Sequence, residues 1–116
     1  MVVLFVPSAD RYGNTVASQE AWSGRALEMF GRLFGGATAY PKARGVWRDD
    51  NRGGELVYDE PIIVHCYTSE KEISEPAKYT TVSAFCLEMG RDMNQGEVGL
   101  VIGDTYIGFP IPEIEI

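Results

Sequence analysis

Cysteine, histidine and positive charge are all scarce in this chain of 116 residues, which holds two cysteines, one histidine and ten Lys plus Arg against seventeen Asp plus Glu. The single imidazole, His65, excludes any His-based metal cluster. The two cysteines, Cys66 and Cys86, lie in apolar runs without CxxC spacing, so they read as buried free thiols and not as a disulfide or metal site. A formal charge of −7 argues against direct nucleic-acid binding, because phosphate contacts need a cationic face. The same charge suits a basic protein partner. No apolar run is long enough to span a membrane, and the opening "MVVLFVP" has neither the basic flank nor the small-residue cleavage site of a signal peptide. It reads as a strand of a cytoplasmic protein, without membrane attachment. Phosphate-loop, dinucleotide-binding, GxSxG and HExxH motifs are missing as well, and no cofactor is implied.

What is present is a regular change of period along the chain. Residues 2–6 are β-branched, aliphatic or aromatic and predict a strand, closed by Pro7 into the exposed polar loop "SADRYGN". Ser18 is placed to cap a helix in which Trp22, Ala26, Met29, Phe30 and Leu33 recur at helical spacing. Gly35 and Gly36 end it, since glycine takes the left-handed conformation that satisfies terminal carbonyls. Residues 37–48 predict one extended edge segment, interrupted by Pro41 and Gly45, and "DDNRGG" predicts a hairpin turn. In "ELVYDEPIIVHCYTS", strand alternation puts Ile62, Val64 and Cys66 on one face and Ile63, His65 and Tyr67 on the other. A second helix opens at Ser74 and Pro76, with Tyr79, Val82, Cys86, Met89 and Met93 as its apolar stripe. "EVGLVIGDTYIGFPI" is either one strand bent at Gly103 or a hairpin around "GD".

The order predicts an α+β fold of the ferredoxin-like βαββαβ kind, one domain over residues 1–116, with two helices on one sheet face and an extra C-terminal strand as an option. Residues from about 110 to 116 are expected to form a loose tail. Val3, Phe5 and Ile63 would leave the helix-free face apolar, which points to a homodimer through that face. Folding back of the chain from Tyr106 onward is the alternative cover.

The stretches "FGGATAYPKARGVWRDD", "IIVHCYTS" and "MGRDMNQGEVGLVIGDTYIGF" resemble small bacterial and phage proteins grouped as domains of unknown function. Those proteins share a helix-ending Gly-Gly, a Gly-x-Trp turn and a late Gln-Gly-Glu before a strand. The resemblance spans most of the chain, implies a ferredoxin-like fold and carries over no catalytic residue.

Candidate binding residues are Tyr40, Arg44, Trp47 and Arg48, since guanidinium and indole faces both accept planar or anionic partners. Local neutralisation of the arginines by Asp49 and Asp50 competes with that role. If the protein is an enzyme, His65, Tyr67 and Tyr40 are the residues placed to handle a proton. The carboxylates Asp49, Asp50, Glu55, Asp59 and Glu60 lack the ordered register of a calcium loop and read as a solvated turn. Without a catalytic constellation, the leading expectation is a non-catalytic binding or regulatory protein acting through its acidic surface and the Tyr/Trp/Arg segment. The alternatives are a cofactor-free enzyme of the dimeric αβ-barrel kind, with a pocket on the sheet face, and an acidic phage-type inhibitor of a nucleic-acid-binding protein.

Overall fold

Among the described residues, seven strands and three α-helices follow in the order β1 (Val2–Val6), α1 (Gln19–Phe34), β2 (Thr38–Tyr40), β3 (Gly45–Asp49), β4 (Glu55–Asp59), β5 (Ile62–Cys66), α2 (Glu70–Ile73), α3 (Pro76–Asp92), β6 (Glu97–Ile102) and β7 (Thr105–Pro110). They come from a computed structural model that describes residues 1–113. Five strands form one antiparallel sheet in the order β2-β5-β1-β6-β7, and β3 and β4 form a separate hairpin. The molecule is therefore α+β.

Strand alternation decides which side of the sheet is core. Val2, Leu4, Val6, Ile62, Val64, Cys66, Val98 and Leu100 are all buried on one face. They form a single cluster with Trp22, Ala26 and Phe30 of α1 and Val82, Cys86 and Met89 of α3. The intervening residues Val3, Phe5, Ile63 and Val101 lie on the opposite face and stay half-buried. Both helices thus occupy one side, as the period change predicts.

α1 ends as expected. Gly35 adopts φ 92°, and its N–H donates to the Gly31 carbonyl. Its start differs, because Ser18 makes no side-chain cap. Gln19 fixes the helix entrance instead, its buried amide donating to the carbonyls of Val6 and Glu60. At the second helix, Pro76 occupies the first turn of α3, as its missing N–H allows. The short α2 ahead of it was not expected. Ser69 caps α2 by accepting from the Glu72 N–H at 3.1 Å, and Ser69-x-x-Glu72 is the capping spacing that would have revealed it.

The extended edge segment expected over residues 37–48 is divided in two. Pro41 lacks an N–H and ends β2 after three residues, while the Ala43 N–H donates to the Pro61 carbonyl and turns the chain out of the main sheet. β3 then pairs only with β4. At the other end, the two readings of the last apolar run resolve as a hairpin: Ile102 pairs with Thr105, and Gly103 at φ 65° takes the first position of the two-residue loop.

Two segments expected to be free are tied down. In the polar loop after β1, Ala9 bridges Thr15, and the Arg11 guanidinium donates to the carbonyls of Gln95 and Ile111. Ile111, expected in the loose tail, is 5% exposed, and its N–H donates to the Gly96 carbonyl. Its side chain packs on the helix side, where a Cβ at Gly90 would meet it. Up to that point the chain end does not cover the helix-free face. Residues 114–116 of the expected tail lie outside the described residues.

Candidate functional site

On the helix-free face, cross-strand pairing assembles a row that runs Thr38, His65, Val3, Val101, Tyr106 from β2 to β7. Directly opposed residues share a face, so these five side chains form one line across the sheet. Tyr40 and Tyr67 flank the row at its β2 end, each two residues from a member and on the same side.

His65 is the centre of that end. Its ring stacks on Tyr40, with centroids 5.2 Å apart and planes 7° from parallel. Tyr67 meets it edge-on at 5.4 Å and 85°. These are favourable offset and T-shaped arrangements, each contributing about 0.5–1.5 kcal/mol beyond area burial. The imidazole is consequently only 8% exposed, whereas Tyr67 is 76% exposed. His65 Nδ1 is buried without a hydrogen-bond partner. Unpaired buried polar atoms are uncommon enough in folded proteins to call for an explanation.

Beside this cluster lies a cleft of about 360 Å³, lined by Gly36, Ala37, Thr38, His65, Cys66 and Tyr67. That volume falls in the range of small-molecule sites. Cys66 borders the cleft, but its thiol belongs to the core, and burial pushes its pKa up. It therefore supplies no thiolate nucleophile.

The far end of the row holds a second polar pair. The Tyr106 hydroxyl donates to Glu97 Oε2 at 2.8 Å, and its ring lies across Gly99 on the neighbouring strand. A Cβ at Gly99 would come within 2.8 Å of that ring, and one at Gly108 would strike the Glu97 carboxylate. Burial, followed by the hydrogen bond to Glu97, pushes the Tyr106 pKa up to about 12. The phenol stays protonated at neutral pH and acts as a donor.

The residues singled out from sequence thus separate. Tyr40, His65 and Tyr67 come together in one cluster. Arg44 lies in the loop after β2, and Trp47 and Arg48 stand on the separate hairpin, on opposite faces of β3. Arg48 pairs with Asp50 at 2.6 Å, and Arg52 lies 3.5 Å from Asp49. Gly36, Ala37 and Thr38 were not anticipated as cleft residues. Their part depends on the pairing of β2 with β5, across more than twenty intervening residues, and no local pattern marks it. Among the described residues, no group of three or more His, Cys, Asp or Glu side chains is placed to hold a metal ion, and no helix is long and apolar enough to cross a membrane.

No family model matches the chain, and no curated protein does so either. Two solved structures are similar to it over nearly its whole length. A phage SAM lyase in complex with S-methyl-5′-thioadenosine matches with a TM-score of 0.64 and 17% identity, covering 98% of this chain and 91% of that one. The phage SAM lyase in its apo state matches with a TM-score of 0.60 and 18% identity, covering 98% and 90%. Both neighbours are an enzyme, a finding that stands against the leading expectation of a non-catalytic binding or regulatory protein.

Proposed function

We propose that the protein is a cofactor-free lyase that cleaves S-adenosylmethionine on the helix-free face of its sheet, at the cleft beside Tyr40, His65 and Tyr67. The observation that carries this reading is the Tyr40, His65 and Tyr67 cluster set against a ligand-sized cleft, on a fold like that of the phage SAM lyase. The strand order of β1, β2, β5 and β6, with α1 and α3 on one side, fits a ferredoxin-like fold extended by β7. The likeness also fits an origin among small phage and bacterial proteins, and a cytoplasmic place where this substrate is made.

The chemistry asks little of the protein in the way of acids and bases. In S-adenosylmethionine, the substrate carboxylate attacks the carbon next to the sulfonium at the end of its own four-carbon arm. A C–O bond forms, the C–S bond breaks, and its electron pair stays on sulfur. The products are a lactone and S-methyl-5′-thioadenosine, with no proton, water or redox partner consumed. Opposite charges annihilate along this path, so the transition state is less in need of solvent than the ground state. Next to the cleft, the helix-free sheet face offers an open apolar floor of Val3, Phe5, Ile63 and Val101 that favours that change, and tyrosine faces attract the sulfonium while the substrate is being positioned. A lyase of this kind works without a GxSxG or HExxH motif, and the sequence has neither. A second copy closing over the helix-free face would exclude water from the same floor, which is the functional reason for the proposed homodimer.

Purified protein incubated with S-adenosylmethionine alone should release S-methyl-5′-thioadenosine in equal amount to the substrate lost. Replacement of Tyr67 by alanine should lower kcat/KM about tenfold or more, through loss of one aromatic wall. Chromatography of the reaction checks both. Substrate that decays no faster than in buffer would overturn the lyase reading.

A further inference from the structure

We propose that the cleft bounded by Gly36, Thr38, His65 and Tyr67 is a purine subsite in which His65 serves as a hydrogen-bond donor through Nε2, not as a base. This rests on the reading of the site given above and names what binds there. Nδ1 is buried without a hydrogen-bond partner, and the Tyr40 ring covers one face of the imidazole. Leaving a buried N–H unpaired costs more than leaving a lone pair unpaired, and orphaned donors are correspondingly the rarer case in folded proteins. The ring proton therefore belongs on Nε2, the nitrogen left to the cleft that His65 lines. In that tautomer the imidazole offers the cleft a donor and no lone pair.

The complement of such a site is an uncharged acceptor on a planar ring. No Lys or Arg lines the cleft, so a carboxylate or phosphate would find no counter-charge there. Tyr67 is largely exposed and stands perpendicular to the imidazole, which presents an aromatic surface next to the donor. Gly36 adds no side chain, and a Cβ there would meet nothing within 4 Å, so that wall leaves room for a flat ligand. A purine provides both a stacking face and ring nitrogens that accept.

Three measurements test this. His65 is the only histidine, so a long-range proton–nitrogen NMR spectrum of the ligand-free protein holds one imidazole. It should show hydrogen on Nε2 and a bare Nδ1, and a proton on Nδ1 would overturn the assignment. Binding of S-methyl-5′-thioadenosine, followed by calorimetry, should survive His65→Gln, whose amide nitrogen reaches the Nε2 position, within about threefold. His65→Asn, which reaches only the Nδ1 position, should weaken binding about tenfold. Equal losses in both variants, or none in His65→Asn, would contradict the donor role. Adenosine should compete for the site and methionine should not; the reverse would place another part of the ligand there. Cleavage of S-adenosylmethionine together with unchanged binding by His65→Asn refutes this subsite and leaves the lyase reading standing. The expected tautomer and adenosine competition without cleavage support the subsite and refute the lyase reading.

Discussion

Phe30→Ala should destabilise the fold by about 3–5 kcal/mol, the cost of deleting a large buried aromatic side chain and leaving part of its volume empty. Phe30 is fully buried, on the face of α1 that joins the core cluster. Its own helix cannot collapse into the gap without unseating Trp22 and Ala26, which belong to the same stripe. Against a total stability of about 5–15 kcal/mol for a domain of ordinary size, that loss is large. Urea titration should show a lower midpoint with an unchanged slope, because the surface exposed on unfolding hardly changes. Phe34, one turn on and only half-buried, should cost clearly less when truncated. A Phe30→Ala variant within about 1 kcal/mol of the parent would mean that α1 is not seated on the sheet as described.

Alkaline pH should weaken the fold through Cys86. This thiol is fully enclosed by α3 and the sheet, and burial pushes its pKa from 9.0 to about 12. The folded chain then holds a proton that the unfolded chain releases, so the stability contribution is complete below pH 9 and declines as the pH rises toward 12. The decline amounts to about 2 kcal/mol between about pH 8 and about pH 10.5. Burial raises Cys66 as well and adds in the same direction. Tyr106 shifts in the same sense but is 57% exposed, so solvent weakens its share. Denaturation curves at the two pH values should show a shallower dependence in Cys86→Ala than in the parent. An identical dependence in both would place the alkaline sensitivity elsewhere.

Much of the scaffold was legible because its signals are local. β1 reads from five consecutive strand-forming residues, α1 from its stripe and Gly35, and α3 from Pro76 and the run through Met89. The division at Pro41 was visible as an interruption, but the sequence cannot say that the chain leaves one sheet for another there. That outcome depends on tertiary contacts such as the Ala43 N–H on Pro61. For α2 the local signal is the capping spacing Ser69-x-x-Glu72, which no apolar stripe accompanies over its four residues.

The candidate site was half legible in the sequence. Tyr40, His65 and Tyr67 stood out as the sheet-face group, and the register places them in contact. The arginines and Trp47 drew equal weight from sequence because composition cannot show that β3 turns away from the main sheet. On the proposed lyase reading, a reaction that runs by intramolecular attack and charge annihilation leaves no acid/base signature, so the missing motifs pointed to a binding protein.

The claim that the helix-free face carries an S-adenosylmethionine site is tested most directly by titrating S-methyl-5′-thioadenosine into isotope-labelled protein and mapping the amide shifts. Changes should concentrate at Gly36–Thr38 and His65–Tyr67, with weaker ones along Val3 and Val101. Shifts confined to the β3–β4 hairpin around Trp47 and Arg48, or none at saturating ligand, would contradict it.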